Sequence, residues 1–330
     1  MAKLDSIQGL RGLAAVSVVL SHIAFFRSGA YGVDLFFIIS GFIITYVTKS
    51  NIDKFLLKRI IRIVPLYWLM TIFISIIALI LPSILNSTTF KFTFLLKSLF
   101  FIPFDKNGYV EPLLALGWTL NYEIFFYVIF WISALITHRF RSYLAFFILI
   151  LLSCIGQLID FNSVILNFYS STILLEFGFG MMLAEFFMNR NYTSKIKKIT
   201  YLLLLPILIF LFLSPGKELG ELRFATWGLG SALLFYLVVL YFNNLYLGGF
   251  LNWIGKISYS LYLTHIFVIL GVNRLLFDLS YFSFNSVIIA LASLALSMVV
   301  AYISWFIIEF KLTNYLRTKT GVNKVIADAR

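Results

Sequence analysis

Arg11 and His22 stand eleven positions apart, close to three helical turns, so one helix face carries both, roughly 16 Å apart along the axis. An imidazole titrates near neutrality and can take a proton from a hydroxyl as a general base. Equally, Arg11 can snorkel to an interface while His22 serves as a buried histidine with one hydrogen-bond partner. Asp34 opens the next apolar run after a short turn, which predicts antiparallel neighbours and brings its carboxylate towards His22. It could orient or charge-stabilise that ring, or simply suit a helix start through the dipole. Ser40 and Gly41 follow on the same run, and their small side chains allow close helix packing.

Three further groups carry chemistry. Lys58, Arg59 and Arg62 precede Pro65, Tyr67 and Trp68. The two arginines share a helix face on which guanidinium forks could clamp phosphate, although an anchoring belt at a membrane surface has the same composition. Trp118 leads to Glu123, which a helix entering from outside carries roughly 13 Å into the bilayer, where a carboxyl must be protonated or partnered. Ser258, Tyr262 and His265 lie at i, i+4 and i+7, a polar stripe suited either to lining a substrate path or to helix–helix hydrogen bonds. Glu176 and Arg274 are two further ionisable residues inside apolar runs.

The elements that position these groups are apolar. Of 330 residues, 61% are hydrophobic and 12% charged, with 37 Phe, proportions that exclude an ordinary water-soluble domain. Mean hydropathy is +0.97. A bilayer core about 30 Å thick needs roughly 20 helical residues, which predicts an all-α, polytopic bundle of about ten spans. They fall near 7–27, 31–48, 61–82, 114–137, 143–160, 164–187, 199–214, 222–242, 257–278 and 285–309. One membrane domain over residues 1–310 and a basic tail over 311–330 account for the chain, and no internal repeat is evident.

The net charge of +12 is spread in short clusters between apolar runs rather than on one soluble face, which argues against nucleic acid as a partner and for membrane orientation. With both termini cytoplasmic, Lys49, Lys54, Lys58, Arg59, Arg62, Arg139, Arg141, Arg190, Lys195, Lys197, Lys198, Lys256 and the tail face inwards. Arg27, Lys91, Lys97, Lys106, Lys217 and Arg223 fall outside, the smaller share. The stretch 83–113 is too long for an idle loop and its piece Phe92 to Phe104 is too short to cross, so it is expected at the outer interface. Cys154 is the single cysteine, and no metal-ligand spacing, phosphate-binding glycine loop or nucleophile elbow occurs, so no metal is expected.

Taken in order, five segments resemble the integral-membrane acyltransferase 3 family: Gly9 to Ala15 with His22 completing an R-x10-H element, Gly32 to Phe42, Lys58 to Trp68, Trp118 to Glu123, and Ile257 to His265. The resemblance spans nearly the whole chain. It implies an enzyme of the bacterial cytoplasmic membrane that moves an acyl group, commonly acetyl, from cytoplasmic acetyl-CoA to a hydroxyl of an extracytoplasmic or lipid-linked carbohydrate. His22 would then be the catalytic histidine and Arg11 its partner. Arg59, Arg62 and the adjacent Lys58 would meet the donor's phosphates, and Glu123 would be a second acid/base or positioning group. No Gly-Asp-Ser motif of the fused esterase domain found in some relatives is present. An acceptor that is a lipid or small molecule keeps the same site, and a transporter or flippase is the alternative from another class.

Overall fold

The computed structural model describes residues 4–23, 29–81, 90–106, 108–189, 204–214, 223–241, 245–276 and 283–322. The helices are α1 (Asp5–Ser21), α2 (Tyr31–Val47), α3 (Phe55–Ile80), α4 (Phe92–Leu99), α5 (Trp118–Ile136), α6 (Arg141–Leu158), α7 (Val164–Phe168) and α8 (Leu174–Met188). They continue with α9 (Leu204–Leu213), α10 (Leu229–Phe235), α11 (Gly249–Leu276), α12 (Ser283–Ser304) and α13 (Thr313–Lys319). π-helical turns flank α10 at Phe224–Gly228 and Tyr236–Tyr241, and another, Trp305–Leu312, joins α12 to α13. The fold is thus mostly helical. Its β structure among the described residues is one two-residue hairpin, Asp105–Lys106 against Tyr109–Val110.

Six helical stretches among the described residues are long and apolar enough to cross a membrane: Phe55–Ile80, Ala115–Ile136, Arg141–Leu158, Phe224–Tyr241, Gly249–Val272 and Ile289–Lys319. Their outward faces are apolar too. On α3, Ile72, Phe73, Ile76, Leu79 and Ile80 are all exposed, an arrangement stable against hydrocarbon and not against water.

The chain forms two compact units, one from the described parts of residues 1–39 and 186–312, the other from 40–185 and 313–323. In the first, α1 lies along α11 with the backbones touching. A Cβ on Gly12 would fall on the Leu251 carbonyl, and one on Gly255 on the Gln8 carbonyl. In lipid no hydrophobic force drives helices together, so this close approach supplies the dispersion contacts that do. Gln8 meets Gly255 near one end and His22 meets His265 near the other, so the two helices run parallel. Ala15, Val19 and Ile23 of the α1 segment pack with Ile254, Ile257 and Leu261 between those points. The start of α2 returns antiparallel along α1, as the short turn predicts, with Gly32 against the Ala14 carbonyl and Tyr31 accepting from Ser17 Oγ at 2.9 Å.

In the second unit α3, α5, α6 and α8 build the core, with Phe126 stacked on Phe177 at 4.3 Å and Gly41 seated on the Phe177 carbonyl. Residues 90–106 and 108–117 are tied to it. Tyr67 Oη donates to the Ser98 carbonyl, the Leu113 N–H donates to Ser98 Oγ, and Lys106 Nζ is buried between Glu111 at 2.8 Å and the Pro112 carbonyl. Lys106, counted in the sequence among the outside charges, is an internal strut.

Several boundaries differ from the apolar runs. α3 begins six residues before the predicted 61 and α11 eight before 257, each drawing polar residues into the helix. The predicted span 164–187 is two helices. Between them Ser170 Oγ donates to the Asn167 carbonyl and Ser171 Oγ accepts from Ile173 N–H, local bonds that compete with the helical ladder. The predicted end of the tenth span at 309 is passed: the helix continues to Lys319, so the first half of the tail is structured. Arg27, Arg190, Lys195, Lys197, Lys198, Lys217, the tail beyond 322, the first residues of the predicted span 199–214 and the Arg274 side chain lie outside the described residues.

Candidate active site

α1 stops at Ser21, and His22 is its C-terminal cap. The stop has a local cause. Ser21 Oγ donates to the Val18 carbonyl at 2.7 Å, and His22 Nδ1 lies 2.9 Å from the same oxygen. Helix-terminal carbonyls lack intrahelical donors, and these two side chains supply them. His22 therefore ends a helix, where the predicted span ran on to 27. The consequence is chemical. A carbonyl only accepts, so Nδ1 carries the proton and Nε2 of the neutral ring carries the lone pair.

His265 is placed the same way. Its Nδ1 lies 3.0 Å from the Leu261 carbonyl, one turn back on α11, so its Nε2 is likewise an acceptor. That Nε2 is buried and has no hydrogen-bond partner among the described residues. The two rings meet edge to face with centroids 5.0 Å apart. Tyr262 lies 6.2 Å from His265 and 6.2 Å from Phe36, enclosing this pair in aromatic surface. Of the polar stripe, Tyr262 thus touches His265, and His265 reaches His22. Ser258 does not, since its Oγ turns back to the Gly255 carbonyl at 2.9 Å.

Asp34 is fully buried and its carboxylate is bound by Arg223, Nε to Oδ1 at 3.0 Å and Nη2 to Oδ2 at 2.8 Å. Of the two readings open for Asp34, the carboxylate turned directly to His22 is not the one seen: Arg223 holds both of its oxygens. A two-point guanidinium fork matches the carboxylate geometry better than one imidazole N–H can. Arg223 also stacks on Trp227, its guanidinium carbon 5.1 Å from the ring centroid. Arg11 is half-buried and donates to Gln8 Oε1 at 3.1 Å, one turn before it.

In the other unit, Glu123 accepts from Tyr127 Oη and from Ser40 Oγ at 3.2 Å, and Ser40 Oγ is also 3.3 Å from Tyr127 Oη. Ser40 is therefore part of a polar triad, where the sequence alone suggested packing as the default account. The Tyr127 ring also carries Arg59, whose guanidinium carbon is 5.6 Å from it and 5.6 Å from Phe55. Lys58, Arg59 and Arg62 occupy the first turns of α3, all half-buried. Trp118 sits at the start of α5, edge-on to Tyr122 at 6.0 Å.

Residues 4–306 match the profile described as an acyltransferase domain. The chain belongs to the acyltransferase 3 family. Within that family it is 33% identical over 169 residues to the exopolysaccharide production protein ExoZ of Rhizobium meliloti, covering 50% of this chain and 53% of ExoZ. It is 32% identical over 143 residues to the peptidoglycan O-acetyltransferase OatA of Listeria monocytogenes, covering 38% and 23%. The O-acetyltransferase OatA of Staphylococcus aureus is 25% identical over 366 residues, covering 96% of this chain and 60% of its own. The chain thus spans about half the length of ExoZ and less than two thirds of either OatA. No solved structure matches it.

Three residues of this acyltransferase 3 chain were missed in the sequence, and two had a signal. Tyr127 is four positions after Glu123, one turn along the same face. Arg223 stands where a predicted span begins, and a buried Asp34 demanded a cation somewhere. Glu309, whose Oε1 accepts from Ser260 N–H at 3.0 Å and from Ser260 Oγ at 2.5 Å, lies 49 residues away and had none.

Proposed function

We propose that this chain is a multi-pass O-acetyltransferase of the bacterial cytoplasmic membrane, with about ten spans and both termini inside. It transfers acetyl from cytoplasmic acetyl-CoA to a hydroxyl of a cell-surface carbohydrate such as an exopolysaccharide, capsule or O-antigen unit. The names of its relatives, an exopolysaccharide production protein and two O-acetyltransferases, support that acceptor class. The observation that carries the reading is the 2.9 Å approach of His22 Nδ1 to the Val18 carbonyl, from which the tautomer follows. With Nδ1–H held by the Val18 carbonyl, Nε2 is the basic nitrogen.

In this mechanism Nε2 of His22 takes the proton as the acceptor hydroxyl oxygen bonds to the acetyl carbonyl carbon. The carbon–sulfur bond breaks, the electron pair leaves with the coenzyme A sulfur, and that thiolate is protonated from His22 or solvent. His265, Tyr262 and Phe36 hold the ring in an apolar setting, and Arg11 supports it from the same helix. Arg59, Arg62 and Lys58 bind the donor's phosphates through charge-assisted bonds. Glu123, fixed by Tyr127 and Ser40, positions this basic group through the shared Tyr127 ring.

The test uses membranes of the native host lacking the gene, complemented with wild type or His22→Ala at matched protein level and supplied with acetyl-labelled coenzyme A. Label should enter the carbohydrate fraction, and His22→Ala should lower it by at least about 100-fold, the scale of a general base. Equal labelling from both variants and the null membranes would remove the proposal, and label in lipid or small molecules would replace the acceptor.

A further inference from the structure

The tail helix α13 is fixed against α3. It ends in a glycine-capped turn in which Val322 N–H donates to the Arg317 carbonyl at 3.0 Å and Gly321 N–H to the Thr318 carbonyl at 3.3 Å. Gly321 supplies the required positive φ of 61°, and Val322 is buried. The carbonyls of Thr320 and Gly321 are taken by Lys54 Nζ at 3.1 and 2.9 Å, from the residue just before α3. This clamp sets Arg317, in the last turn of α13, beside the basic start of α3.

Arg317, Arg62 and Arg59 are close enough to repel one another. None forms an ion pair or donates a side-chain hydrogen bond among the described residues. Arg59 Nε and Arg317 Nε are buried and unpartnered. Glu123 is near enough to attract Arg59 but is bonded to Tyr127 and Ser40 instead. Lys58 adds a further cation in the first turn of α3, where the helix dipole disfavours positive charge. Three mutually repelling guanidinium groups, two with buried idle donors, are stable together when an anion lies among them.

We infer that Arg317 completes an anion site with Arg59 and Arg62 whose ligand is a phosphate group of the acyl donor. The inference rests on the donor reading above and adds a residue from the tail, which the sequence marked only as generally basic. A phospholipid headgroup offers the same phosphate chemistry, so the test separates the two sources.

The full chain in nanodiscs of zwitterionic lipid, with or without added anionic phospholipid, is titrated with acetyl-CoA at low and high salt. Arg317→Ala and Arg317→Gln should each weaken binding by roughly tenfold, one charge-assisted contact, with a shallower salt dependence; Arg317→Lys should recover part of the loss. The Lys-against-Gln comparison reads charge at similar length, so a folding defect in the Ala variant does not decide the outcome. Wild-type binding weakened by Arg59→Ala but unchanged in both neutral Arg317 variants overturns this inference and leaves the donor reading standing. No acetyl-CoA binding by wild type overturns both. An effect of Arg317 confined to anionic-lipid binding, with acetyl-CoA affinity intact, overturns the assignment to the donor.

Discussion

The Asp34 carboxylate and the Arg223 guanidinium, 189 residues apart, form a two-point ion pair with Asp34 wholly buried and Arg223 18% exposed. Removing one member of such a pair strands the other charge. Asp34→Ala and Arg223→Ala should each destabilise the protein by about 3–5 kcal/mol, and the double variant should cost less than the sum. Thermal unfolding of the three variants in one lipid environment checks it. Simple additivity would show that the pair is solvated and contributes no coupling.

That pair also marks where sequence reading stopped. Continuous apolar runs identify helices such as α3, α5 and α6 because lipid tolerates nothing else on their outer faces. The R-x10-H spacing and the i, i+4, i+7 stripe were legible because helical periodicity is local. The cap that ends α1 at His22 was not, since it depends on which side chains take the Val18 carbonyl. Nor were the partners of Asp34 and Ser260, because one sequence holds no record of which distant helices meet.

Close backbone contact between α1 and α11 is what sets His22 beside His265. Gly255→Ala places a methyl on the Gln8 carbonyl and should destabilise by about 1–3 kcal/mol, with transfer activity falling alongside. Gly271, on the same helix, faces open space. Gly271→Ala should therefore be neutral or stabilising by up to about 1 kcal/mol. Apparent melting temperatures and label transfer for the two variants make the comparison, and equal effects would mean that helix propensity, not contact, decides.

Tyr127 performs two separable tasks: its hydroxyl bonds Glu123 and Ser40, and its ring carries Arg59. Tyr127→Phe keeps the ring and loses the bond, whereas Tyr127→Leu loses both. The first should lower the transfer rate with acetyl-CoA affinity unchanged within about twofold, while the second should also weaken affinity by several-fold, as expected for a cation–π contact of about 1 kcal/mol. Single-turnover transfer and equilibrium binding, measured separately, distinguish them. Matching losses of affinity in the two variants would assign the donor effect to the hydroxyl.

His265 offers a clean division between packing and chemistry, because its Nε2 is buried with no hydrogen-bond partner among the described residues while its edge rests on His22. An orphaned acceptor weakens a fold, so His265→Phe, which keeps a ring against His22 and removes that atom, should not lower stability. His265→Ala removes the ring itself and should destabilise by about 3 kcal/mol or more. If Nε2 serves the reaction by steering or sharing the proton on His22, the Phe variant loses roughly tenfold or more in rate despite its intact fold. Stability and label transfer are measured on the same preparations. A Phe variant as stable and as active as wild type would reduce His265 to a packing surface for the catalytic ring.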